Sequence, residues 1–403
     1  MNILMATADH LMIDRRILQE ARTLVGQGHQ VILLAGFECQ RRESYVHDGI
    51  RIERFAFDWQ DSRFSRIARR VHWLPGSGIY RQAWRVFRAW ANRYAALDSF
   101  EYFIFERMME YQVDLLHVHD FPMLAPAIKL ATARQVPLIY DAHELYYAQV
   151  QLPKAVQARY KKKEAALIKK ADVAITVNPY IARLMADRYC VPAPEVIMNA
   201  AARVPVLPGS PLRERFGLSA DARILLYQGW ICEHRGIEKI VQAAARFDHQ
   251  IYFVIVGYGA FEDALKHQVA ELNLSHRVLF FGGVASDQLH ALTCDADLGI
   301  IPYHGVDENN YFCSPNKLFE FAIAELPFIS NDLPFLRDIA NQYGNGVMAD
   351  LGSPEAIADS VNQLFADEAH LAFLKRGAAV AREDLNWDVE GQKLLAIYQR
   401  FTG

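Results

Sequence analysis

Short, unbroken apolar runs recur along this chain, and a stretch of helical periodicity follows most of them. Residues 2–7 (NILMAT) form the first such run. Residues 15–27 follow, with Ile17, Leu18, Ala21 and Leu24 on one helical face; Gly28 ends that helix, and 30–35 is a second apolar run. A strand that is apolar throughout has to be covered on both faces, and that environment is a parallel sheet with helical crossovers. Further strands are expected at 115–118, 137–141, 173–177 and 195–198, with a helix over 154–170. Residues 202–210 (ARVPVLPGS) interrupt the pattern with two prolines and a glycine, which marks a linker. The alternation then restarts, with strands at 223–228, 251–256, 278–281, 298–302 and 327–331 and a last helix over about 389–401. Two α/β units in tandem are expected to turn their strand C-termini, and so their ligand loops, toward a shared cleft.

At 403 residues the chain has length for two or three domains, and 52% hydrophobic with 22% charged residues excludes a disordered chain. A net charge of -4 argues against a general nucleic-acid binder. The charge is uneven: residues 51–95 carry +7, with ten arginines, and the rest carries -11. Five scattered cysteines without a C-x-x-C exclude a disulfide framework and a cysteine metal cluster, and fit a reducing compartment. The first residues have neither the basic start nor the apolar length of a signal peptide, and no run is long enough to span a bilayer. The expected location is cytoplasmic, with peripheral attachment at the inner face of the cell membrane.

Residues 313–330 (CSPNKLFEFAIAELPFIS) are the sharpest segment. Ser314 is expected as N-cap and Pro315 as first helical residue, which opens a helix whose free N–H groups suit an anion. Lys317 adds a cation in the first turn, and Glu320 one turn on could accept two hydrogen bonds from a vicinal diol such as a ribose. A solvated Lys–Glu pair on a surface helix fits the spacing as well. In residues 227–237 (YQGWICEHRGI), Gly229 ends a strand and Arg235 opens the next helix, where it is either a diphosphate clamp or a surface residue at a turn.

His117, His119 and Asp120 close one apolar strand, and Asp141, His143 and Glu144 close another. These residue types serve as metal ligands, as hydrogen-bond partners of a substrate or as satisfied core histidines, and spacing alone leaves all three open. VGYG (256–259) supplies Gly257 and Gly259 but not a full dinucleotide fingerprint. Asp295-Ala296-Asp297 has the D-x-D form of metal-dependent sugar transfer, yet it abuts a core strand and reads as structural. No G-x-S-x-G elbow supports hydrolase chemistry.

Taken in order, YQGWICEHRGIEKIVQA, VGYG, VLFFGGV, ADLGIIPY and SPNKLFEFAIAELPFIS resemble the retaining glycosyltransferases of family 4, also called glycosyl transferases group 1, which have the GT-B fold. Asp14-Arg15-Arg16 with EARTLVGQGHQVILLA, HVHDFP and YDAHELY extend the likeness over the first half, and Trp387 with the last helix over the end. The resemblance implies two Rossmann-like domains facing a central cleft: 1–203 for the acceptor, 204–385 for a nucleotide-sugar donor, and a C-terminal helix, 386–403, crossing back to the first. It implies metal-free transfer with retention of configuration from a nucleotide-diphosphate sugar, with no cofactor. Arg235 and Lys317 would hold the diphosphate, Glu320 the ribose, and His119 would stand near the transferred sugar. Gly229, Gly257, Gly259, Val284 and Asn316 would line the donor site, while Asp120, Asp141, His143 and Glu144 would face the acceptor. Two positions depart from the pattern: Phe312 stands where many relatives carry a first glutamate, and Trp230 where many carry an arginine.

Tyr80, Trp84, Phe87, Ala91 and Tyr94 follow helical spacing beside Arg81, Arg85 and Arg88, and 64–73 are similarly basic, with Arg66, Arg69, Arg70 and Trp73. Such faces suit an anionic membrane surface, and equally a core-packing stripe with solvated arginines. The expected partners are therefore a UDP-sugar or other nucleotide-diphosphate sugar, a glycan or lipid-linked acceptor, and an anionic membrane, with no nucleic acid. A nucleotide-sugar 2-epimerase and a non-catalytic nucleotide-sugar-binding partner are the rival readings, the second favoured by Phe312 and Trp230.

Overall fold

The structure is a computed structural model and describes residues 1–9, 12–57, 97–149, 151–233 and 235–402. The chain divides into two compact units: residues 1–197 with 393–403, and residues 198–392. The membrane-facing expectation for Arg66, Arg69, Arg70, Trp73, Arg81, Trp84, Arg85 and Arg88 lies outside the described residues.

The first unit is built on an eight-stranded sheet. Its strands are β1 (Asn2–Ala6), β2 (Gln30–Ala35), β3 (Glu38–His47), β4 (Ile50–Ala56), β5 (Leu115–His119), β6 (Leu138–Ala142), β7 (Val173–Thr176) and β8 (Glu195–Val196). They lie in the order β3-β4-β2-β1-β5-β6-β7-β8 and run parallel, apart from the antiparallel pair β3–β4. Ile3, Leu4, Met5, Leu115 and Leu116 are completely buried, as strands covered on both faces must be. The hairpin β3–β4 is absent from the sequence reading. Its turn, Asp48-Gly49, has positive φ at both residues (52° and 77°), the conformation that matches strand twist and favours Asp-Gly.

The second unit has a six-stranded, wholly parallel sheet. Its strands are β9 (Arg223–Gln228), β10 (Ile251–Val256), β11 (Val278–Gly282), β12 (Leu298–Ile301), β13 (Phe328–Ser330) and β14 (Gly346–Met348), in the order β11-β10-β9-β12-β13-β14. Helices Ile237–Ala243 and Pro354–Ala366 pack Ile237, Ile240, Val241, Ile357 and Val361 against Leu225, Tyr227 and Phe253 in one core.

In each sheet the strand order reverses once, between β1 and β5 in the first and between β9 and β12 in the second. Loops that leave strand C-termini at such a point diverge, so a crevice opens there. The reversal thus selects two loop clusters, one in each unit.

The break between units falls after Ile197, and the return at Lys393, against expected boundaries at 203/204 and 385/386. Residues 198–203 stay with the second unit for a visible reason. Met198 N–H donates to Glu390 (2.8 Å), and Ala201 bridges to Asn386. The last helix, Trp387–Gln399, therefore begins in the second unit and ends in the first.

Candidate active site

In the second unit the crevice lies beyond Gln228, the last residue of β9, and Ile301, the last of β12. The loop after β9 and the loop after β10 are joined by backbone hydrogen bonds, Gly229 N–H to Val256 O and Ile231 N–H to Tyr258 O, both 2.9 Å. This contact requires glycine. A Cβ on Gly257 would sit 2.0 Å from Gly229 O, and one on Gly259 would sit 2.0 Å from Ile231 O. The expected strand-end glycines thus make a close two-loop floor.

Between β12 and β13, after a single turn at Glu308–Tyr311, a helix runs Asn316–Ile323 with Pro315 at the N-cap. This corrects the expected Ser314 cap by one residue: Pro315 has ψ 133°, extended rather than helical, so it stands before the helix. No side chain caps this end; Leu318 N–H turns back to Pro315 O (3.0 Å), and the positive end of the helix dipole stands at Asn316 and Lys317.

Lys317 is 5% exposed, and its Nζ has no hydrogen-bond partner among the described residues. Nζ stands 3.9 Å from the Tyr227 ring centroid and 5.0 Å from that of Tyr303. The Arg235 guanidinium covers the other part of Tyr303 at 4.0 Å. Burial, helped by the nearby Arg235 charge, pulls the Lys317 ammonium down from 10.5 to about 7. Two cations on an aromatic wall, neither ion-paired with a carboxylate among the described residues, have the electrostatics of an anion site. The surface-pair reading of Lys317 and Glu320 does not hold, because Lys317 is buried. Glu320 instead takes a hydrogen bond from Gln228 Nε2, and Gln228 Oε1 accepts from Thr293 Oγ1 at 2.8 Å. Gln228, Tyr227 and Tyr303 escape the sequence reading. The available signal was Gln228 itself, an amide closing an otherwise apolar strand.

Asn316 is exposed at the first position of its helix, and Val284 is half-buried in the loop that leaves the C-terminal end of β11. The D-x-D pair serves structure. Arg213 ion-pairs with Asp295 and with Asp297 (2.8 Å), and the carboxylates accept backbone N–H groups of Leu212 (2.8 Å) and Ile224 (2.9 Å).

In the first unit, the residues that close β5 and β6 meet the first helix, Arg15–Gly26, which Asp14 caps through Arg16 N–H (2.7 Å). Arg16 reaches inward. Its Nη2 donates to both Asp141 oxygens (2.8 and 2.7 Å) and its Nε to Glu20 (2.8 Å), with all three residues buried. Asp141 was expected to face the acceptor; it is instead fully buried and bidentate on Arg16, so it positions its neighbours. His119 Nδ1 and His143 Nε2 share a 3.2 Å hydrogen bond, and the Tyr398 hydroxyl reaches His117 Nδ1 at 2.8 Å. Burial pulls His143 down, but Asp141 and Asp120 outweigh it and hold the ring protonated, at about 10. Burial keeps His119 neutral, well below the usual histidine range. Asp120 has φ 60°, strained for a non-glycine residue, and its Oδ1 accepts His143 N–H at 3.0 Å. Burial pushes its carboxyl up to about 7. The His143 side chain is 14% exposed and Glu144 is half-buried.

The polar atoms of Glu20, His117, His119 and Asp141 lie within 4.8 Å of one another, a set that could ligate a metal. Arg16 ion-pairs with both carboxylates and the protonated His143 ring stands 3.5 Å from Asp141, so these two cations supply the charge a metal ion would bring. Arg16 and Glu20 are not singled out by the sequence reading, since a charged pair on an amphipathic helix looks solvated.

Comparison with known proteins places both units. Residues 13–200 match the family described as "Glycosyl transferase 4-like domain", and residues 210–380 match "Glycosyl transferases group 1". A D-inositol 3-phosphate glycosyltransferase of Xylanimonas cellulosilytica is 28% identical over 52% of this chain and 48% of its own length. The chain thus spans about half the length of that relative. The putative glycosyltransferase EpsD of Bacillus subtilis is 26% identical over 76% of each chain. Among solved structures, sucrose-phosphate synthase from Thermosynechococcus elongatus aligns over 99% of both chains with TM-score 0.74 and 17% identity. Anabaena HepE in complex with UDP and glucose aligns over 99% of this chain and 100% of its own, with TM-score 0.69 and 14% identity. Among the described residues no helix is long and apolar enough to cross a membrane. Two parallel-sheet units, a cation pair at the second switch point and these matches across both halves lead to one assignment: the chain belongs to the glycosyl transferases group 1, with the GT-B fold.

Proposed function

We propose that this glycosyltransferase moves a sugar, with retention of configuration and without a metal, from a UDP-sugar to a glycan or lipid-linked acceptor in bacterial surface polysaccharide or glycolipid synthesis. The observation that carries the donor reading is the buried, unpaired Lys317 ammonium beside Arg235 at an uncapped helix start. A diphosphate is the anion that meets two cations and a helix N-terminus together. As it leaves, the same groups stabilise its developing charge, a role of the oxyanion-hole kind. Glu320, oriented by Gln228, is placed to accept from ribose hydroxyls. The HepE complexes with UDP and UDP-glucose support a uridine donor by likeness of fold.

In the first unit, Glu144 and the 14% exposed edge of His143 would meet the acceptor hydroxyl, while the fully buried, neutral His119 would act from behind His143 through their hydrogen bond. Docking on an anionic leaflet draws support from the helix Lys154–Leu167 and the turn after it. There Lys154, Arg159, Lys162, Lys169 and Lys170 are exposed while the one acid, Glu164, is buried.

A thermal-shift panel of UDP-, GDP-, ADP- and CMP-sugars, with NAD as control, tests the donor reading. The uridine class is expected to stabilise the protein, by about 2.7 kcal/mol at a hundredfold excess over Kd. Arg235→Ala and Glu320→Ala should each remove most of the shift. A flat panel would sink the donor reading, and stabilisation by NAD alone would replace it with a dehydrogenase.

A further inference from the structure

Next to the cation pair, two aromatic rings stand in solvent. Trp230 is 52% exposed and Tyr258 45% exposed. Their centroids are 5.1 Å apart and their planes cross at 83°, so together they form an open corner. Neither is a loose surface side chain. Trp230 is flanked by Gly229 and Ile231, whose amides are fixed to Val256 O and Tyr258 O, and its own carbonyl accepts the Tyr227 hydroxyl at 2.8 Å. Tyr258 leans on the loop after β11, where a Cβ on Gly283 would meet its ring at 2.8 Å. The corner is thus held in place before any ligand arrives, and an apolar contact there costs little side-chain entropy.

Position narrows what it meets. A Cβ on Gly229 would lie 3.8 Å from Lys317 Nζ, so Trp230 follows directly on a residue that borders the unpaired ammonium. A group touching Trp230 is therefore close to the phosphate-binding end of the site. The flat apolar object expected beside a bound diphosphate is the C–H face of a sugar ring. Aromatic faces, which carry partial negative charge, attract such polarised C–H groups.

We propose that Trp230 and Tyr258 form a stacking platform for a pyranose ring of the sugar substrates, and that Trp230 determines how tightly that ring is held. The proposal rests on the donor reading above. The ring can belong to the donor sugar or to the acceptor, and the test separates them.

Calorimetric titration would compare UDP with UDP-glucose, UDP-galactose and UDP-N-acetylglucosamine, using wild type, Trp230→Ala, Trp230→Phe and Tyr258→Ala. UDP itself should bind the variants within about twofold of wild type. If the platform holds the donor sugar, at least one UDP-sugar weakens about five- to tenfold in Trp230→Ala, with Phe retaining most of the affinity. If it holds the acceptor, saturation-transfer NMR with methyl α-D-glucopyranoside and maltose shows ring C–H contacts in wild type that Trp230→Ala loses. Unchanged binding of every sugar probe overturns the proposal. Equal weakening of UDP and UDP-sugars also overturns it, because the platform then serves the nucleotide. Failure of UDP to bind wild type would instead strike the donor reading, and the pyranoside measurement without nucleotide would still decide the platform.

Discussion

Lys317→Met should raise the melting temperature of the ligand-free protein and remove most of its affinity for a nucleotide diphosphate. Both effects have one cause. The ammonium is buried against Tyr227 and Tyr303, and the Arg235 charge acts on it from the other contact to Tyr303. Lowering its folded-state value from 10.5 to about 7 corresponds to about 5 kcal/mol of unfavourable charge burial. The sign follows from the direction: a lysine whose folded value is depressed destabilises the fold fully below about pH 7, and the destabilisation fades as pH rises toward 10.5. The methionine variant should therefore exceed wild type most at pH 6.5 and least at pH 9.5, by a few kcal/mol at the acidic end. Equal stability of the two proteins at pH 6.5 would mean that the charge is not desolvated. A bound diphosphate supplies the missing counter-charge, so at pH 8 binding should take up close to one proton. Titrations in buffers of different ionisation enthalpy would measure it, and the uptake should vanish in Lys317→Met. Loss of one partner of a buried charge pair costs about 3–5 kcal/mol, so Kd should rise by about two to four orders of magnitude.

The second large effect is expected at Arg16. Arg16→Met leaves Asp141 and Glu20 buried without their cation, and breaking such a pair from one side costs about 3–5 kcal/mol. Arg16 and His143 hold Asp141 far below the usual carboxylate range against the opposing effect of burial, and with Arg16 gone His143 remains, so Asp141 is not the group to take a proton first. Glu20, already up at about 6 through burial and the Asp141 charge, is the group that would. Calorimetry should show the loss in the transition of the first unit. Arg16→Met with Asp141→Asn should recover part of it, because only Glu20 is then left without its cation, and Glu20 can take a proton. A double variant no better than the sum of the singles would mean that the pair is not coupled.

The layer architecture was legible in the sequence because strands buried on both faces cannot alternate polar and apolar residues. The runs at 2–7, 30–35, 223–228 and 251–256 lie within a residue of β1, β2, β9 and β10. The hairpin of β3 and β4 escaped because β3 is mostly exposed and polar, so no apolar run marks it, although Asp48-Gly49 was a turn signal in plain view. Loop chemistry was legible where a strand ends in residues unsuited to a core, as at His119, Asp141 and Gly229. What spacing could not convey was direction. Nothing in a one-dimensional pattern says that Arg16 turns inward to Asp141, 125 residues on, or that Lys317 is aimed at two tyrosines rather than at water. Those facts depend on strand order, which places residues far apart in the chain at one sheet reversal.

The Tyr398 hydroxyl that reaches His117 sets an order of events during synthesis. The two residues are 281 positions apart, with the whole second unit between them. At about 5–20 residues per second, the ribosome finishes that interval roughly 15–55 s after His117 is made. Through that time the nascent first unit holds a buried imidazole without its partner, beside an acid cluster already in place. Its interior is completed only after the second unit has been made, by Tyr398, so a ribosome stalled anywhere within the second unit leaves the first one unfinished.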